Sequence, residues 1–428
     1  MICLMPNCAY VSETSRMISI YKALRAAGAP AVVATHGGTH ETLLKSEGVP
    51  YEIVGPRWSE ERCRRFVAEG PGIGPTDQSF YSAREMRTYA RAEAEFFRRM
   101  KVDAVVTGFT LTVLLSSRLA GIPVVAEHAG SYLPPLFERG LLPAASRSPL
   151  PVFDYMPRSL ARWLQNKGAP RLKIHLKTFN EVAKELGVEP IPSFPALLLG
   201  DLTLVTEAPE VLGISEAQMQ AWRPTGGAYR PSTRLEYTGP IFAEFDMPIP
   251  DAVEAALNAA GPKVYLAITS SDASLVRGAA RDIGAAGVRL IVAGTVHNLQ
   301  DLEDDKTVVA GVLPSHKIMP RVDLAVIAGG QGSVQCAMAA GTPFVGIPLQ
   351  PEQDCNVHFV EQLNAARLLP MRDVGSGRLT TLVKEMLGHP GHRKAAQDVS
   401  AAYAKRNGPK LSAEAILRLV SGEVRRAA

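Results

Sequence analysis

The chain has 428 residues, which is enough for about two to three domains of ordinary size with substantial cores. Hydrophobic residues make up 46% and charged residues 21% of it, a composition that excludes an intrinsically disordered chain. The formal net charge of +4 is small for this length, and no basic–aromatic motif of a nucleic-acid-binding module occurs. We therefore expect no nucleic acid among the partners.

The cysteines and the apolar runs indicate the compartment. Five cysteines are widely spread and form no CxxC pair, which favours reduced thiols over a disulfide framework or a zinc site. The N-terminus lacks the pattern of a secretory signal, and no run of about 18 apolar residues occurs. These features predict a cytoplasmic protein.

The first half of the chain alternates apolar runs with helical periodicity, which is typical of a parallel sheet covered by helices. The predicted strands are Met1–Met5, Ala31–Thr35, Val49–Val54, Ala104–Thr107, Pro123–Glu127 and Asp201–Thr206, the last being taken as the final strand of the first domain. The predicted helices include Ser15–Ala27, Ala83–Arg99 and Val113–Ala120, whereas the polar stretch Trp58–Ser79 predicts a long loop or an irregular helix.

Residues 131–170 lose this periodicity and mix prolines with apolar side chains. This pattern predicts loops and short helices, which either form a binding surface for an apolar acceptor or serve only as a connection. Six cations without an intervening acid overlap its end and continue beyond it: Arg158, Arg162, Lys167, Arg171, Lys173 and Lys177. Such a run is typical of a solvated helix face, and the alternative is contact with an anionic acceptor or with a membrane surface as a peripheral protein.

The most informative stretch lies between residues 323 and 356. An apolar strand ends in Gly329 and Gly330, and a helix of small residues is predicted from Val334 to Ala340. A strand, a glycine turn and a helix N-terminus in this order form an anion site, because glycines admit a close approach and the helix dipole favours negative charge. This part of the motif predicts a phosphate site.

The next predicted strand, Phe344–Leu349, brings Glu352 and Gln353 just past its carboxyl end, where open α/β sheets bind ligands. A carboxylate beside an amide suits a polyhydroxylated ligand, because the pair both accepts and donates hydrogen bonds. A phosphate site followed by a sugar site predicts that this region binds a nucleotide sugar.

This order of residues resembles the donor-binding signature of the family 1 glycosyltransferases, the UDP-glycosyltransferase type, and in particular the bacterial natural-product enzymes. The matching residues are Gly329, Gly330, Gly332, Ser333, Gln335, Gly341, Pro343, Pro348, Glu352, Gln353 and Asn356. One position departs from the signature, because the histidine that contacts the diphosphate in the family is Ala328 here.

The resemblance implies an α/β chain of GT-B architecture, with two Rossmann-like domains facing across a cleft. We assign residues 1–243 to an N-terminal acceptor-binding domain, 244–252 to a linker and 253–400 to a C-terminal nucleotide-sugar-binding domain. Residues 401–428 are expected to form a helix that packs back on the N-terminal domain.

The resemblance also implies the roles of the donor-binding residues. We expect phosphate contacts from Ser270, Ser271, Gly329, Gly330, Gln331, Gly332 and Ser333, nucleobase contacts from Val312 and Leu313, and sugar contacts from Glu352 and Gln353. His316 is interpreted as a surface loop residue rather than a ligand. We expect a UDP- or TDP-linked sugar as co-substrate, with no other cofactor and no metal site, since no Asp-x-Asp motif occurs.

The catalytic positions depart from the family. Its base is a histidine oriented by an aspartate, and those positions fall on Glu13 and Gly108 here. Glu13 is either the base or an acid favoured at a helix N-terminus, and His128, after the strand that ends at Glu127, is the other candidate base. An acceptor acidic enough to need little help remains a third alternative. Phe109 and Tyr132 are candidates for the acceptor wall by position.

These features predict an inverting, metal-independent glycosyltransferase that moves a sugar to a small, largely apolar acceptor of the natural-product kind. The alternatives are a catalytically silent protein that binds a nucleotide sugar or partners an active transferase, a sugar-nucleotide epimerase, and a lipid glycosyltransferase. The sequence leaves the sugar, the acceptor and the oligomeric state open, including a homodimer.

Overall fold

The computed structural model describes residues 1–68, 79–146, 155–244, 246–268, 271–294 and 297–422. The chain separates into two compact units. Unit 1 consists of the described parts of Met1–Ala144, Ser148–Ile241 and Arg406–Ala428, and unit 2 of those of Ala145–Arg147 and Phe242–Lys405. Within the described ranges, no helix is long and apolar enough to cross a membrane.

Unit 1 is built on a seven-stranded sheet whose pairs are all parallel, in the order β3-β2-β1-β4-β5-β6-β7. The strands are β1 (Ile2–Leu4), β2 (Ala31–Thr35), β3 (Tyr51–Ile53), β4 (Ala104–Thr107), β5 (Val124–His128), β6 (Leu202–Val205) and β7 (Arg234–Tyr237). The six predicted strands are confirmed, but the prediction that Asp201–Thr206 is the last one is wrong. The missed β7 is an edge strand whose residues alternate between half-buried and buried, so it carries no continuous apolar run.

The helices of unit 1 cover both faces of this sheet. They are α1 (Val11–Ala26), α2 (Thr42–Ser46), α3 (Glu60–Ala68), α4 (Ala83–Arg99), α5 (Val113–Ala120), α6 (Pro134–Glu138), α7 (Arg158–Gly168), α8 (Leu176–Leu186), α9 (Pro209–Leu212), α10 (Glu216–Ala221) and α18 (Gly408–Ser421). The stretch predicted as a loop or irregular helix contains the regular helix α3, which buries Cys63 and Phe66 on one face. Five of its other seven positions are charged, and this masked the helical pattern in the sequence.

Unit 2 is built on a six-stranded parallel sheet in the order β10-β9-β8-β11-β12-β13. The strands are β8 (Lys263–Ala267), β9 (Arg289–Ala293), β10 (Thr307–Ala310), β11 (Leu324–Ile327), β12 (Phe344–Gly346) and β13 (Ala366–Leu368). The helices are α11 (Asp251–Asn258), α12 (Ala273–Gly284), α13 (Ser315–Ile318), α14 (Gln331–Ala339), α15 (Pro351–Gln362), α16 (Arg378–Gly388) and α17 (Pro390–Tyr403). The three-residue edge strand β13 was not predicted.

The end of the chain returns to unit 1, as predicted. Instead of one helix from residue 401, however, α17 ends in unit 2 and α18 begins anew after Asn407, whose side chain caps it by accepting from the Lys410 N–H at 3.1 Å. Helix α18 places Ile416 and Leu419 in the core that also contains Met17 and Ile20 of α1. This packing is the brace expected of the C-terminal helix.

Gly408 is essential for the docking of α18 on unit 1. A β-carbon at this position would overlap the Pro240 carbonyl oxygen and lie 2.8 Å from the Gly239 carbonyl oxygen, and neither backbone atom can move aside cheaply. We expect Gly408→Ala to lower the free energy of unfolding of unit 1 by about 1–3 kcal/mol.

This loss is measured by urea unfolding followed by tryptophan fluorescence, because Trp58, Trp163 and Trp222 all lie in unit 1. Gly168→Ala is the matched control, since no atom lies within 4 Å of the added methyl group there. Equal stability of the two variants would contradict the role given to Gly408.

Candidate functional site

The residues predicted for donor binding gather at one edge of the sheet in unit 2. Strand β11 lies between β8 and β12, and all three are parallel, so their carboxyl ends meet at the same edge. The chain reaches Ser271 after β8, Gly329–Ser333 after β11, and Glu352 and Gln353 after β12. Ser270, the other predicted phosphate ligand, lies outside the described residues.

Two glycines bring α15 close to these strand ends. Gly329 has φ +89°, and a β-carbon there would lie 2.5 Å from Val357 Cγ2. At Gly346, the last residue of β12, a β-carbon would overlap the same valine. Asn356 Nδ2 then donates to the Gly329 carbonyl at 3.1 Å, which ties the glycine turn to α15. Both glycine positions therefore exclude any other residue for steric reasons.

Helix α14 starts at Gln331, earlier than the predicted Val334, so Gln331, Gly332 and Ser333 form its first turn. Gly330 is the N-cap residue and has no side chain with which to cap this end. The first N–H groups of a helix lack intrahelical partners and carry the positive end of its dipole, so this turn suits an anion. The position of a β-carbon on Gly330 has no atom within 4 Å, so the space beside it is open.

The two predicted sugar ligands lie in the first turn of α15. The strand before them ends at Gly346 rather than at Leu349, and a short loop leads on to the helix. The oxygen of the buried Gln353 side chain accepts from the Leu349 N–H at 2.7 Å, and a half-buried Glu352 oxygen accepts from Asn356 Nδ2 at 2.6 Å. The carboxylate of Glu352 and the amide nitrogen of Gln353 therefore combine an acceptor with a donor.

The predicted nucleobase contacts precede α13, which packs against α14. Val312 is 55% exposed, whereas Leu313 is buried. The interpretation of His316 as a surface loop residue is wrong, because this residue lies in α13 and buries its Nδ1 atom, for which no hydrogen-bond partner occurs among the described residues. Burial lowers the pKa of His316.

Ser271 is held by its own strand end. Its hydroxyl donates to the Ile268 carbonyl at 2.8 Å, and its carbonyl lies 2.7 Å from His297 Nε2. Across the described ranges, no group of three or more His, Cys, Asp or Glu side chains could hold a metal ion.

In unit 1, the structure brings together the two positions to which the resemblance assigns the catalytic pair. Glu13 lies in the first turn of α1 and is 2% exposed. One of its oxygens accepts from the N–H groups of Gly108 (3.0 Å) and Phe109 (2.8 Å), and the other accepts from the Asn7 N–H at 2.7 Å. A carboxylate has about four acceptor positions, so one position on the second oxygen remains.

The Glu13 carboxylate occupies the space beside Gly108, the position that the resemblance assigns to the aspartate. A β-carbon on Gly108 would lie 2.8 Å from Glu13 Cγ and 3.2 Å from Glu127 Oε2. An aspartate at position 108 would also add a third acid beside these two. Glycine at 108 and glutamate at 13 are therefore a matched pair.

The environment of Glu13 sets its proton affinity. Burial raises the pKa of Glu13 to about 7, against the opposing effects of the N–H donors and of the Arg16 guanidinium, while the Glu127 carboxylate adds to the rise. Such a group exchanges its proton near neutral pH, as a general base requires.

His128, the other predicted base, ends β5 and is 9% exposed. Its Nδ1 accepts from the Gly130 N–H at 2.9 Å, which places the proton of the neutral ring on Nε2. Burial lowers the pKa of His128 to about 4. The arrangement makes His128 Nε2 a hydrogen-bond donor rather than a proton acceptor.

A buried ion pair beneath this region was missed from the sequence. Arg16 Nε donates to Glu127 Oε2 at 2.7 Å, and the Thr206 hydroxyl donates to Glu127 Oε1 at 2.5 Å. The available signals were an arginine among the apolar positions of α1 and a glutamate at the end of an apolar strand. The Arg16 charge lowers the pKa of Glu13 and the Glu127 charge raises it, so the two members of the pair oppose each other there.

Phe109 and Tyr132, the predicted acceptor wall, belong to one continuous row of rings in unit 1. Phe109 meets Phe80 edge to face at 5.6 Å, Phe80 lies 4.7 Å from His175, and His175 lies 5.9 Å from Phe194, which meets Tyr132 at 6.5 Å. The three linking residues were not predicted, because they come from segments distant in the sequence.

The chain is similar in sequence to known glycosyltransferases. The chain is 26% identical over 356 residues to a PGL/p-HBAD biosynthesis glycosyltransferase of Mycobacterium tuberculosis, covering 80% of this chain and 76% of that protein. It is 26% identical over 337 residues to a PGL/p-HBAD biosynthesis rhamnosyltransferase of Mycobacterium bovis, covering 77% and 70%. No family model matches the chain.

Among solved structures, the glycosyltransferase VinC in complex with dTDP superposes with a TM-score of 0.66 over 98% of this chain and 100% of its own. The identity is 16%, so this likeness establishes the fold. The architecture predicted for the two sheets and their helices is thereby confirmed.

The raised pKa of Glu13 predicts a pH-dependent stability. An ordinary glutamate titrates near 4.5, and the folded state holds this proton up to about pH 7, so ionisation of Glu13 destabilises the fold as the pH rises between these values. From pH 4.5 to 7.5 the parent should lose about 3 kcal/mol of unfolding free energy relative to Glu13→Gln.

Urea unfolding of both proteins at a series of pH values, followed by tryptophan fluorescence, gives this difference. His128 acts in the opposite direction in both proteins and so cancels from it. A difference that stays constant with pH would show that Glu13 ionises normally.

Proposed function

This chain is a glycosyltransferase with the GT-B fold, and we propose that it moves a sugar, with inversion and without a metal ion, from a UDP- or TDP-linked donor to a small, largely apolar acceptor. The observation that carries the proposal is the first turn of α14, which presents helix N–H groups beside the open space at Gly330. In this proposal the diphosphate binds there.

The rest of the donor follows from the neighbouring strand ends. We assign the nucleobase to Val312 and Leu313, and the hydroxyls of the sugar to the carboxylate of Glu352 and the amide of Gln353. The dTDP complex of VinC supports a pyrimidine nucleoside diphosphate as the donor.

The replacement of the family's histidine by Ala328 removes one charge-assisted bond to the diphosphate, a contribution of about 1.5–3 kcal/mol. The positive end of the α14 dipole must therefore hold more of the leaving group's charge than it does in enzymes with the histidine. This expectation makes the first turn of α14 the most sensitive part of the donor site.

Phe80 and Phe194 are buried in the core, and the half-buried rings of Phe109 and Tyr132 at the two ends of the row support an acceptor with an aromatic or apolar body. Side chains of this kind bind flat apolar groups by offset and edge-to-face contacts. The names of the two mycobacterial relatives, which refer to PGL/p-HBAD biosynthesis, lead us to propose a related natural-product acceptor.

We assign the general base to Glu13. The acceptor hydroxyl would donate its proton to the remaining acceptor position of Glu13 while its oxygen attacks the anomeric carbon. The bond from that carbon to the diphosphate oxygen breaks with its electron pair, and the nucleoside diphosphate leaves as an anion. His128 Nε2–H would orient the acceptor by donating to it.

All five cysteines are free, which suits a reaction in the reducing cytoplasm.

A side chain on Gly330 should block the diphosphate without harming the fold, because the space there is open. We expect Gly330→Val to weaken UDP or dTDP binding, measured by calorimetry, at least 10-fold, with the melting temperature unchanged. Gly388→Val, at another uncrowded glycine of unit 2, is the control. Parental affinity in Gly330→Val would overturn the donor-site assignment.

The assignment of Glu13 predicts a specific kinetic signature. Because the ionised carboxylate is the active form, kcat should rise with pH to a plateau above about pH 7. Glu13→Gln should lower kcat by about 100-fold or more and abolish that rise, while dTDP affinity stays at the parental value. A variant that retains the pH profile would assign the base to another group.

A further inference from the structure

The region from Tyr155 to Leu172 in unit 1 is the most apolar exposed part of the described chain. Seven large hydrophobic side chains are exposed in the described ranges, and four of them lie here: Tyr155 (91%), Leu160 (44%), Trp163 (57%) and Leu172 (42%). Single exposed apolar side chains are ordinary, but a cluster of this kind marks a binding surface.

The same region carries a concentrated positive charge. Six lysines and arginines and no acid occur between residues 155 and 180, whereas the whole chain has a net charge of only +4. The remainder of the chain is therefore slightly acidic. The clustered charge selects an anionic partner.

One side of helix α7 is hydrogen-bonded to the rest of unit 1, and the opposite side is exposed. On the hydrogen-bonded side, Asn166 donates to the Leu142 carbonyl at 3.0 Å and accepts from the Leu142 N–H at 3.2 Å. Arg162 donates to the Gly140 carbonyl at 2.8 Å, so this cation helps to attach the helix to unit 1. Leu160, Trp163 and Lys167 share the other side at helical spacing, and all three are exposed.

We propose that this outward face of α7, with the cations that follow it, docks on an anionic lipid bilayer. A tryptophan and a leucine beside a lysine on one helix face suit the boundary between headgroups and acyl chains. The apolar side chains enter this boundary, and the ammonium group reaches the lipid phosphates. The electrostatic attraction adds to this apolar insertion. The helix lies along the surface, as an interfacial helix does.

A bilayer fits these observations better than the other anionic partners. Binding of a nucleic acid would use a basic groove with stacking rings, whereas Leu160 and Leu172 add apolar area that no phosphate backbone contacts. A second copy of this chain would have to bring like charges together. The inference does not depend on the proposed reaction, because the surface lies on residues with no assigned part in it.

The test is co-sedimentation of the full chain with vesicles of phosphatidylcholine alone and with about one third phosphatidylglycerol. We expect binding to the anionic vesicles only, with a partition coefficient at least 10-fold lower for Trp163→Ser combined with Lys167→Gln. The matched control combines Met371→Ser with Arg372→Gln, an exposed apolar residue and an exposed cation of unit 2, and should bind as the parent does.

Three further readouts decide the inference. A blue shift of tryptophan fluorescence on anionic vesicles that is lost in Trp163→Ser supports insertion. Equal binding to neutral vesicles, or equal binding by the variant and its control, overturns the proposal. Concentration-dependent dimerisation that the Trp163 variant alone abolishes also overturns it, in favour of a second copy of this chain.

Nucleotide affinity and transfer to a soluble acceptor, measured on the same variants, should stay parental, so a failure of the proposed reaction would be visible separately.

Discussion

The proposed donor site depends on two positions that lack a β-carbon. Gly329 and Gly346 let Val357, and with it α15, approach the carboxyl ends of β11 and β12 more closely than any other residue would allow. That approach places Asn356 within hydrogen-bonding distance of the Gly329 carbonyl, and the same amide nitrogen donates to Glu352, one turn earlier on α15. One steric constraint therefore fixes the turn before α14 and the direction of the carboxylate together. The phosphate-binding and sugar-binding parts of the signature are therefore held in place together.

A comparable constraint explains the departure of unit 1 from the family's histidine and aspartate. Glu13 brings its own carboxylate to the N–H groups of residues 108 and 109, in the space where the aspartate of a histidine-containing enzyme would be. In the arrangement that we propose, one glutamate and a glycine that makes room for it take the place of the histidine and the aspartate. The use of one acid at this position limits the buried negative charge. The neighbouring carboxylate of Glu127 is balanced by its ion pair with Arg16.

The features that could be predicted from the sequence are those that depend on local residue patterns. Buried parallel strands are continuous apolar runs, so most of them were found, whereas the edge strands β7 and β13 are short and partly exposed and were not. The start of α14 was placed too late because glycine and serine have weak helix propensity, and its position is set by the packing of Gly329. The pairing of Arg16 with Glu127 joins residues 111 positions apart, and only the folded sheet reveals it.

The two proposed tasks need opposite electrostatic environments, and the sequence departures are consistent with this requirement. Holding a diphosphate calls for positive potential, which the first turn of α14 provides through its backbone, without a titratable group. Taking a proton near pH 7 calls for a carboxylate whose pKa is raised, and a strong positive potential would lower it again. A backbone dipole falls off within about a helical turn, so its effect stays local to the leaving group. With Ala328 in place of the histidine, the donor side holds its anion without a titratable group there. The pKa of Glu13 is set within unit 1 by burial, by N–H donors and by the charges of Arg16 and Glu127.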